Sequence, residues 1–333
     1  MRPTRPTQTR RLTGPQAGAQ QGTALLLAML VVTLVATLSA GALWLQWRQV
    51  EIESAERQRS QLSWLITGAM DWSRLILRED ALSVQSGGTD HLGEPWALPV
   101  QESRLSTFLS QDQQVREGDP EVFLSGRITD AQSRLNLASL SEDGRLVEPV
   151  LAQWVQLFAL LQLPPAELQQ LARQWPRVTQ TPAPADAGPW PLRPQRVEQL
   201  VWLGLSPATV ARLQPFVTLL PEATAVNLNT APVEVVLASL PGLDTATAQR
   251  LVRQREQRPF ASLQDVRALL GPAGDLLHEK RHALRSAYFE VTGQLRIDQQ
   301  RQTERALVRR NGQRVSVVWR ERSTENLQDS SLQ

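Results

Sequence analysis

The run GTALLLAMLVVTLVATLSAGALWLQW, residues 22–47, decides how the rest of this chain is read. From Thr23 to Trp47 no position is charged. As a helix those residues rise roughly 37 Å, enough to cross a hydrocarbon core of ~30 Å. Trp44 and Trp47 stand at the far end, where amphipathic rings favour the headgroup layer. Ahead of the run lie Arg2, Arg5, Arg10 and Arg11 with no acidic residue, a bias that keeps an N-terminus in the cytoplasm. The expected topology is a single pass with everything after Trp47 outside.

Two plainer readings compete. A cleaved secretory signal would use the small residues Ser39-Ala40-Gly41-Ala42, but its apolar core usually runs only about 7–15 residues. An ordinary one-pass anchor is the other. A short basic leader that ends in Gly22 and meets the apolar run at once resembles a prepilin leader. That resemblance implies a cut between Gly22 and Thr23, on the cytoplasmic side, with the helix retained.

Composition limits the chemistry. The 333 residues hold 35 basic against 33 acidic side chains, so the net charge names no polyanion partner. All the basic residues but Lys280 are arginine along the whole length, which reads as codon usage. Cysteine is absent, which excludes disulfides, thiol nucleophiles and iron–sulfur ligation. Only His91, His278 and His282 offer imidazole.

Outward from the apolar run the helical pattern continues to about Glu79. Leu62, Ile66, Ala69, Trp72 and Ile76 recur at helical spacing, a stripe suited to packing on a soluble domain. Gly87-Gly88 ends the pattern. Alternation then predicts strands over Glu121–Asp130 and Tyr288–Asp298. Ala306–Arg310 and Arg314–Arg320 flank Asn311-Gly312, a dipeptide favoured in two-residue hairpins. The last ten residues are polar and read as a loose tail.

Between about Leu140 and Leu284 the text is helical, with segments at Val150–Leu163, Ala166–Gln174, Gln195–Leu203 and Ser206–Leu213. Thr181–Pro194 carries five prolines and reads as an exposed loop. Helices inside a strand order point to an insertion. Thr230 is expected to cap a helix running to Leu240, Pro241-Gly242 breaks it, and Asp244 is expected to cap the next. This unit resembles a helix-hairpin-helix. DNA-binding versions have a second glycine where Asp244 stands, and a carboxylate there repels phosphate. His278-Glu279-Lys280-Arg281-His282 matches H-E-x-x-H, yet Lys280, Arg281 and Arg285 would crowd a divalent cation. A DNA receptor of the competence type and a zinc peptidase remain the competing readings.

Four stretches in order resemble one family. They are the junction at Gly22, Asp90–Ala97 (DHLGEPWA), Ile128–Leu137 (ITDAQSRLNL) and Val226–Pro232 (VNLNTAP). Together they are similar to general secretion pathway protein K, a minor pseudopilin of type II secretion. The resemblance implies an α+β fold: a pilin-like long N-terminal transmembrane helix on a small antiparallel sheet, with a large inserted all-α domain. The expected division is 1–22 leader, 23–47 membrane helix, 48–140 periplasmic helix and first strands, 141–284 inserted domain, 285–323 last strands and 324–333 tail. It also implies a non-enzymatic protein of the inner membrane, with its main domain in the periplasm. Expected partners are the minor pseudopilins I and J, other pseudopilus subunits, a prepilin peptidase, and secretin or cargo, with no nucleic acid. The peptidase would cut after Gly22 and N-methylate Thr23.

Two departures qualify the inheritance. Other pseudopilins carry Glu at mature position five, where Leu27 stands here. A carboxylate at mid-bilayer costs about 2.5–3.5 kcal/mol on insertion scales, so a subunit with no neighbour above it favours an apolar residue. Together with a bulky insertion, this implies a filament tip. Family members also associate calcium with an acid-rich segment after a Trp, but Trp175 is followed by Pro176-Arg177-Val178-Thr179-Gln180 and Asp186 is the only acid before Glu198. Calcium wants six to eight oxygens. No cofactor or metal is expected.

Overall fold

The computed structural model describes residues 20–83, 88–104, 121–179, 192–297 and 300–326. The chain divides into two compact units, Met1–Ser63 and Trp64–Gln333, and helix α1 (Gln20–Leu82) contributes to each. Continuity follows from composition, because no proline occurs within those residues.

From Thr23 to Trp47 α1 is uncharged and mostly apolar on every side. An 18-residue window reaches a mean hydropathy of 2.3 with none of it buried, the condition of a helix meant for lipid or for other helices. Thr33 and Thr37 turn their hydroxyls back onto the carbonyls of Leu30 and Leu34, each at 2.9 Å. Such back-bonding removes exposed donors from an apolar surface.

The second unit is built on a sheet. Its strands begin with β1 (Val100–Arg104) and β2 (Val122–Asp130). Six two-residue strands follow: β3 (Leu135–Asn136), β4 (Ser141–Glu142), β5 (Arg145–Leu146), β6 (Val217–Thr218), β7 (Val226–Asn227) and β8 (His282–Ala283). Last come β9 (Tyr288–Ile297), β10 (Gln300–Asn311) and β11 (Arg314–Asn326). The main sheet is antiparallel in the order β1-β2-β9-β10-β11. Thus β2 and β9, neighbours in space, are separated in sequence by the helical block. That block holds α2 (Glu148–Leu160), α3 (Pro165–Thr179), α4 (Pro207–Leu213), α5 (Val233–Ser239), α6 (Thr245–Gln257) and α7 (Leu263–Leu270). Its core packs Trp154, Leu157, Leu171, Trp175, Leu213, Val236 and Leu251.

The end of α1 lies on the sheet through Ile66, Met70, Ser73 and Leu77, all buried. The spacing is four, three, four, one helical stripe. Beneath it Gly126 of β2 pairs with Gly293 of β9. A Cβ on Gly293 would sit 3.6 Å from the Met70 sulfur and 3.8 Å from Ile66, so the missing side chain lets the helix come close. Met70 and Leu77 join Trp96, Phe289, Val291 and Val308 in one cluster. Trp96 meets Phe289 edge-on, 5.1 Å between centroids, a favoured aromatic geometry.

Several expectations shift. Trp72 belongs to the predicted stripe, yet it is 46% exposed. The true stripe is rotated toward Ser73, whose hydroxyl satisfies itself on Met70 O at 2.6 Å. The Leu62 side chain falls outside the described residues, as do the proline-rich 180–191, Gly87 and the tail after Asn326. The hairpin turn is Gly312-Gln313, because Asn311 pairs with Arg314. Gly312 has φ +56° and Gln313 is not in the positive-φ region, which is a type II′ arrangement. Residues 197–203 form a 3-10 helix. Thr230 does not cap α5; Pro232 stands at the N-cap and α5 begins at Val233. Asp244 does cap α6, accepting from Thr247 N at 2.9 Å.

Leu77→Ala, which empties a fully buried position, is expected to cost about 2–5 kcal/mol in chemical denaturation of the full chain in detergent. Trp72→Ala should cost under about 1 kcal/mol. The reverse order would refute the rotated stripe.

Candidate functional site: a buried polar junction

Three of the four stretches singled out in the sequence meet at one place, around the carboxylate of Asp130. This residue ends β2 and is 1% exposed. Its Oδ1 accepts from Gln132 N at 2.7 Å. Its Oδ2 accepts from the Thr230 and Ser286 hydroxyls, each at 2.6 Å, and from Asn227 Nδ2 at 2.9 Å. Burial pushes the Asp130 carboxyl up, and the Ser286 and Thr230 hydroxyls oppose that.

Asn227 reaches further, donating also toward Asp90 O at 3.1 Å while its Oδ1 accepts from Asn229 N at 3.0 Å. Asn229 brackets Phe260, bonding both its N–H and its carbonyl at 3.0 Å. Gln132 joins the sheet to the helical block, from Ala225 O at 3.0 Å to Ala287 N at 2.7 Å. Asn136 does the same, donating to Glu222 O at 2.7 Å and accepting from Leu220 N at 3.1 Å.

The third of these stretches, Asp90–Ala97, brings a second layer. Asp90 Oδ2 accepts from Ser286 N at 2.7 Å, and its Oδ1 is bonded by Arg310. Arg310 also pairs with Asp80 of α1 at 2.7 Å, donates to Ser286 O at 3.0 Å, and lies 4.7 Å from the Phe289 ring centroid. Glu94 Oε2 accepts from His91 N at 3.0 Å and Trp96 Nε1 at 2.7 Å. Its Oε1 is buried with no hydrogen-bond partner among the described residues, and the residue is 4% exposed. Burial drives the Glu94 carboxyl up to about 7 and raises Asp80 as well.

No local pattern singles out Asp80, Ser286 or Arg310. Each lies outside the quoted stretches, and only the topology brings them in. Carboxylate oxygens of Asp80, Asp90 and Glu94 come within 4.8 Å of one another. Arg310 already bridges two of these groups, so a divalent ion would be set against a guanidinium. The Ser286 and Thr230 hydroxyls that meet the Asp130 carboxylate are buried with it, and in this arrangement they hold segments together.

Elsewhere the competing readings lose their geometry. His278 and His282 do not share a helix face, since β8 begins at His282. His282 is 1% exposed, accepts at Nδ1 from His278 N at 3.0 Å and bonds Ser239 O through Nε2 at 3.0 Å. Both ring nitrogens are engaged, and burial lowers the imidazole to about 4. In the hairpin, Asp244 spends a helix N–H that a phosphate would need, and Thr247 holds its carboxyl below the usual range. The predicted processing residues Gly22, Thr23 and Leu27 lie in the first turns of α1, with Leu27 exposed. The segment after Trp175 is described only to Thr179, so Asp186 lies outside the described residues.

Comparisons agree with this architecture. Models of the type II secretion system protein K family match residues 133–222 and 226–284. Protein K of Pseudomonas aeruginosa is 28% identical over 307 residues, covering 85% of this chain and 86% of the relative. That of Pectobacterium carotovorum subsp. carotovorum is 26% identical, covering 91% and 96%. A chain in the crystal structure of the GspK–GspI–GspJ complex from enterotoxigenic Escherichia coli aligns with TM-score 0.57 and 18% identity, over 81% of this chain and 98% of that one, and so shares the fold. Together these matches support assigning the chain to the pseudopilins of type II protein secretion, with an apolar N-terminal helix compatible with membrane anchoring. Within that class they support the protein K family.

The raised Glu94 carboxyl has a signed consequence. Its folded value of about 7 lies above the 4.5 of an ordinary glutamate, so the folded state binds the proton more tightly. The stability this contributes is full below about 4.5 and is lost as pH rises to about 7. His282, lowered from 6.5 to about 4, acts in the opposite direction over the same range. The difference between wild type and Glu94→Gln therefore isolates Glu94. Relative to wild type, the variant should gain roughly 1–2 kcal/mol between pH 5 and pH 7.5, after allowing for solvent screening. A pH-independent difference in melting would refute this.

Proposed function

We propose that this protein is a non-enzymatic minor pseudopilin that stands at the tip of the type II secretion pseudopilus and nucleates its assembly. The observation that carries the proposal is the first unit of α1. Its side chains are exposed from Leu25 to Ile52, and no acid appears until Glu51. Gly22 lies in the first turn of α1 and closes the basic leader. Glycine inside a helix costs about 1 kcal/mol relative to alanine, and recognition by a prepilin peptidase is the role this reading gives it.

In this reading residues 1–22 are removed, Thr23 is N-methylated, and residues 23–47 hold the subunit in the inner membrane. The basic leader keeps the N-terminus cytoplasmic, and the unit from Trp64 onward lies in the periplasm. Leu27 at mature position five spares the subunit a carboxylate that no neighbour would neutralise. The helical block, residues 141–284, is inserted between β2 and β9 and would face secretin or cargo. The solved relative is in complex with GspI and GspJ, which supports their counterparts as partners. We propose no cofactor and no calcium site after Trp175.

Gly22→Leu should leave a full-length chain that retains its first 22 residues and fails to support secretion. Intact-mass spectrometry of the membrane-extracted protein reads this directly. A variant shortened to a Thr23 start and secreting normally would remove the processing claim.

A further inference from the structure

Three carboxyl groups crowd one guanidinium where α1 ends. Oxygens of Asp80, Asp90 and Glu94 lie within 4.8 Å of one another, and all three side chains are buried. Arg310 takes Oδ2 of Asp80 at 2.7 Å, Oδ1 of Asp90 and the Ser286 carbonyl at 3.0 Å. His91 adds no second cation near neutral pH. Its Nδ1 accepts from Gly93 N at 3.2 Å, and burial holds the imidazole below its ordinary value, against the pull of Asp80 and Asp90. Arg285 and Glu222 line the adjoining cavity but are exposed to water. Ionised together, the three acids would leave two buried negative charges uncompensated. One member of such a set keeps its proton.

The two oxygens of Glu94 show which atom holds it. Oε2 accepts from His91 N at 3.0 Å and from Trp96 Nε1 at 2.7 Å, as the carbonyl oxygen of an acid does. Oε1 is buried with no donor among the described residues. His91 Nε2 stands 3.9 Å from it, beyond hydrogen-bond reach. An ionised oxygen so placed is stranded, whereas a protonated one can donate. Glu94 makes a side-chain hydrogen bond with Asp80, and two carboxyl groups form one only by sharing a proton.

We infer that Glu94 carries a proton on Oε1 and donates it to the Asp80 carboxylate, a shared-proton latch that ties the last turn of α1 to the loop before β1 and opens as the surroundings turn alkaline. On opening, the Oε1–H bond breaks and the proton passes to hydroxide or a buffer base. Glu94 is left as a carboxylate, repelled by Asp80 and Asp90. Asp80 lines a cavity of about 380 Å³ that Glu94 does not line, so Asp80 stands between the buried acid and water.

Glu94→Gln mimics the closed latch, because its amide oxygen can accept as Oε2 does and its amide nitrogen can donate to Asp80 at any pH. The full chain in detergent is titrated by infrared spectroscopy in deuterated buffer. Expected is a protonated-carboxyl band that disappears around pH 7 and is missing from Glu94→Gln. In Asp80→Asn, which removes a negative neighbour, the band should disappear at least about half a pH unit lower. Amide hydrogen exchange over residues 77–82 is read as the ratio of wild type to Glu94→Gln, which cancels base catalysis. That ratio should be near one at about pH 5.5 and about threefold or more at about pH 8.5. The latch is refuted by the absence of a band assignable to Glu94 around pH 7, by a band that Asp80→Asn leaves unmoved, or by equal exchange at the alkaline end. Should Asp80→Asn not fold, the Glu94→Gln spectrum and exchange ratio decide.

Discussion

Everything in the second unit turns on how one buried carboxylate is satisfied. Taking Asp130 out of water costs several kcal/mol unless donors replace the lost hydration. Those donors come from Gln132, Asn227, Thr230 and Ser286. The last three stand 97, 100 and 156 residues along the chain. Satisfaction of a single side chain therefore requires the end of β2, the start of the hairpin unit and the entry to β9 to be in place together. Removing one donor would leave the others' geometry intact but the charge under-bonded, which is where buried networks are least forgiving. An apolar junction could slide by a residue; this one has a single register.

A second polar layer extends the same logic to the helix. Arg310 closes β10 and reaches Asp80 on α1 and Asp90 in the first loop. Arg134 and Arg305 bracket Glu290 on β9 at 2.6 and 3.1 Å. Burial would raise that carboxyl, but the two guanidinium groups, Arg134 first, hold it low. Paired arginines with partly buried carboxylates thus stitch helix, sheet and helical block, and bidentate-capable arginine suits that work better than lysine. The uniform arginine bias read as codon usage also supplies this chemistry.

Local rules made much of this legible and long-range ones did not. The apolar run, the strand alternation at Tyr288–Ile297 and the glycine of the hairpin turn are properties of neighbouring residues, and they survive intact. Thr230 looked like a helix cap because it precedes a proline and an apolar run; its hydroxyl instead answers a carboxylate 100 residues earlier. Trp72 looked like core because its spacing and size fit, yet the glycine pair drew the helix down on its Met70 side. Ser286 and Arg310 carry no local signature at all. The stretches DHLGEPWA, ITDAQSRLNL and VNLNTAP were noticed for their resemblance, and the structure supplies their physical reason: three strings of polar residues that complete one another's hydrogen bonds.

The same rule that permits Asp130 bears on the far end of the chain. A carboxylate is tolerable in a low-dielectric place only where fixed donors await it. At Asp130 the fold itself brings four, each held by its own backbone context. At position 27 the described residues bring none, since α1 there has only exposed apolar neighbours along Leu25–Leu30. An acid at that site would depend on an amine delivered by another molecule. In the proposed tip position no such molecule follows, and leucine is the residue that asks for nothing. Polar anchoring inside one subunit and its absence at the apolar N-terminal helix are thus two outcomes of one electrostatic constraint, decided by whether the donors are covalently part of the same chain.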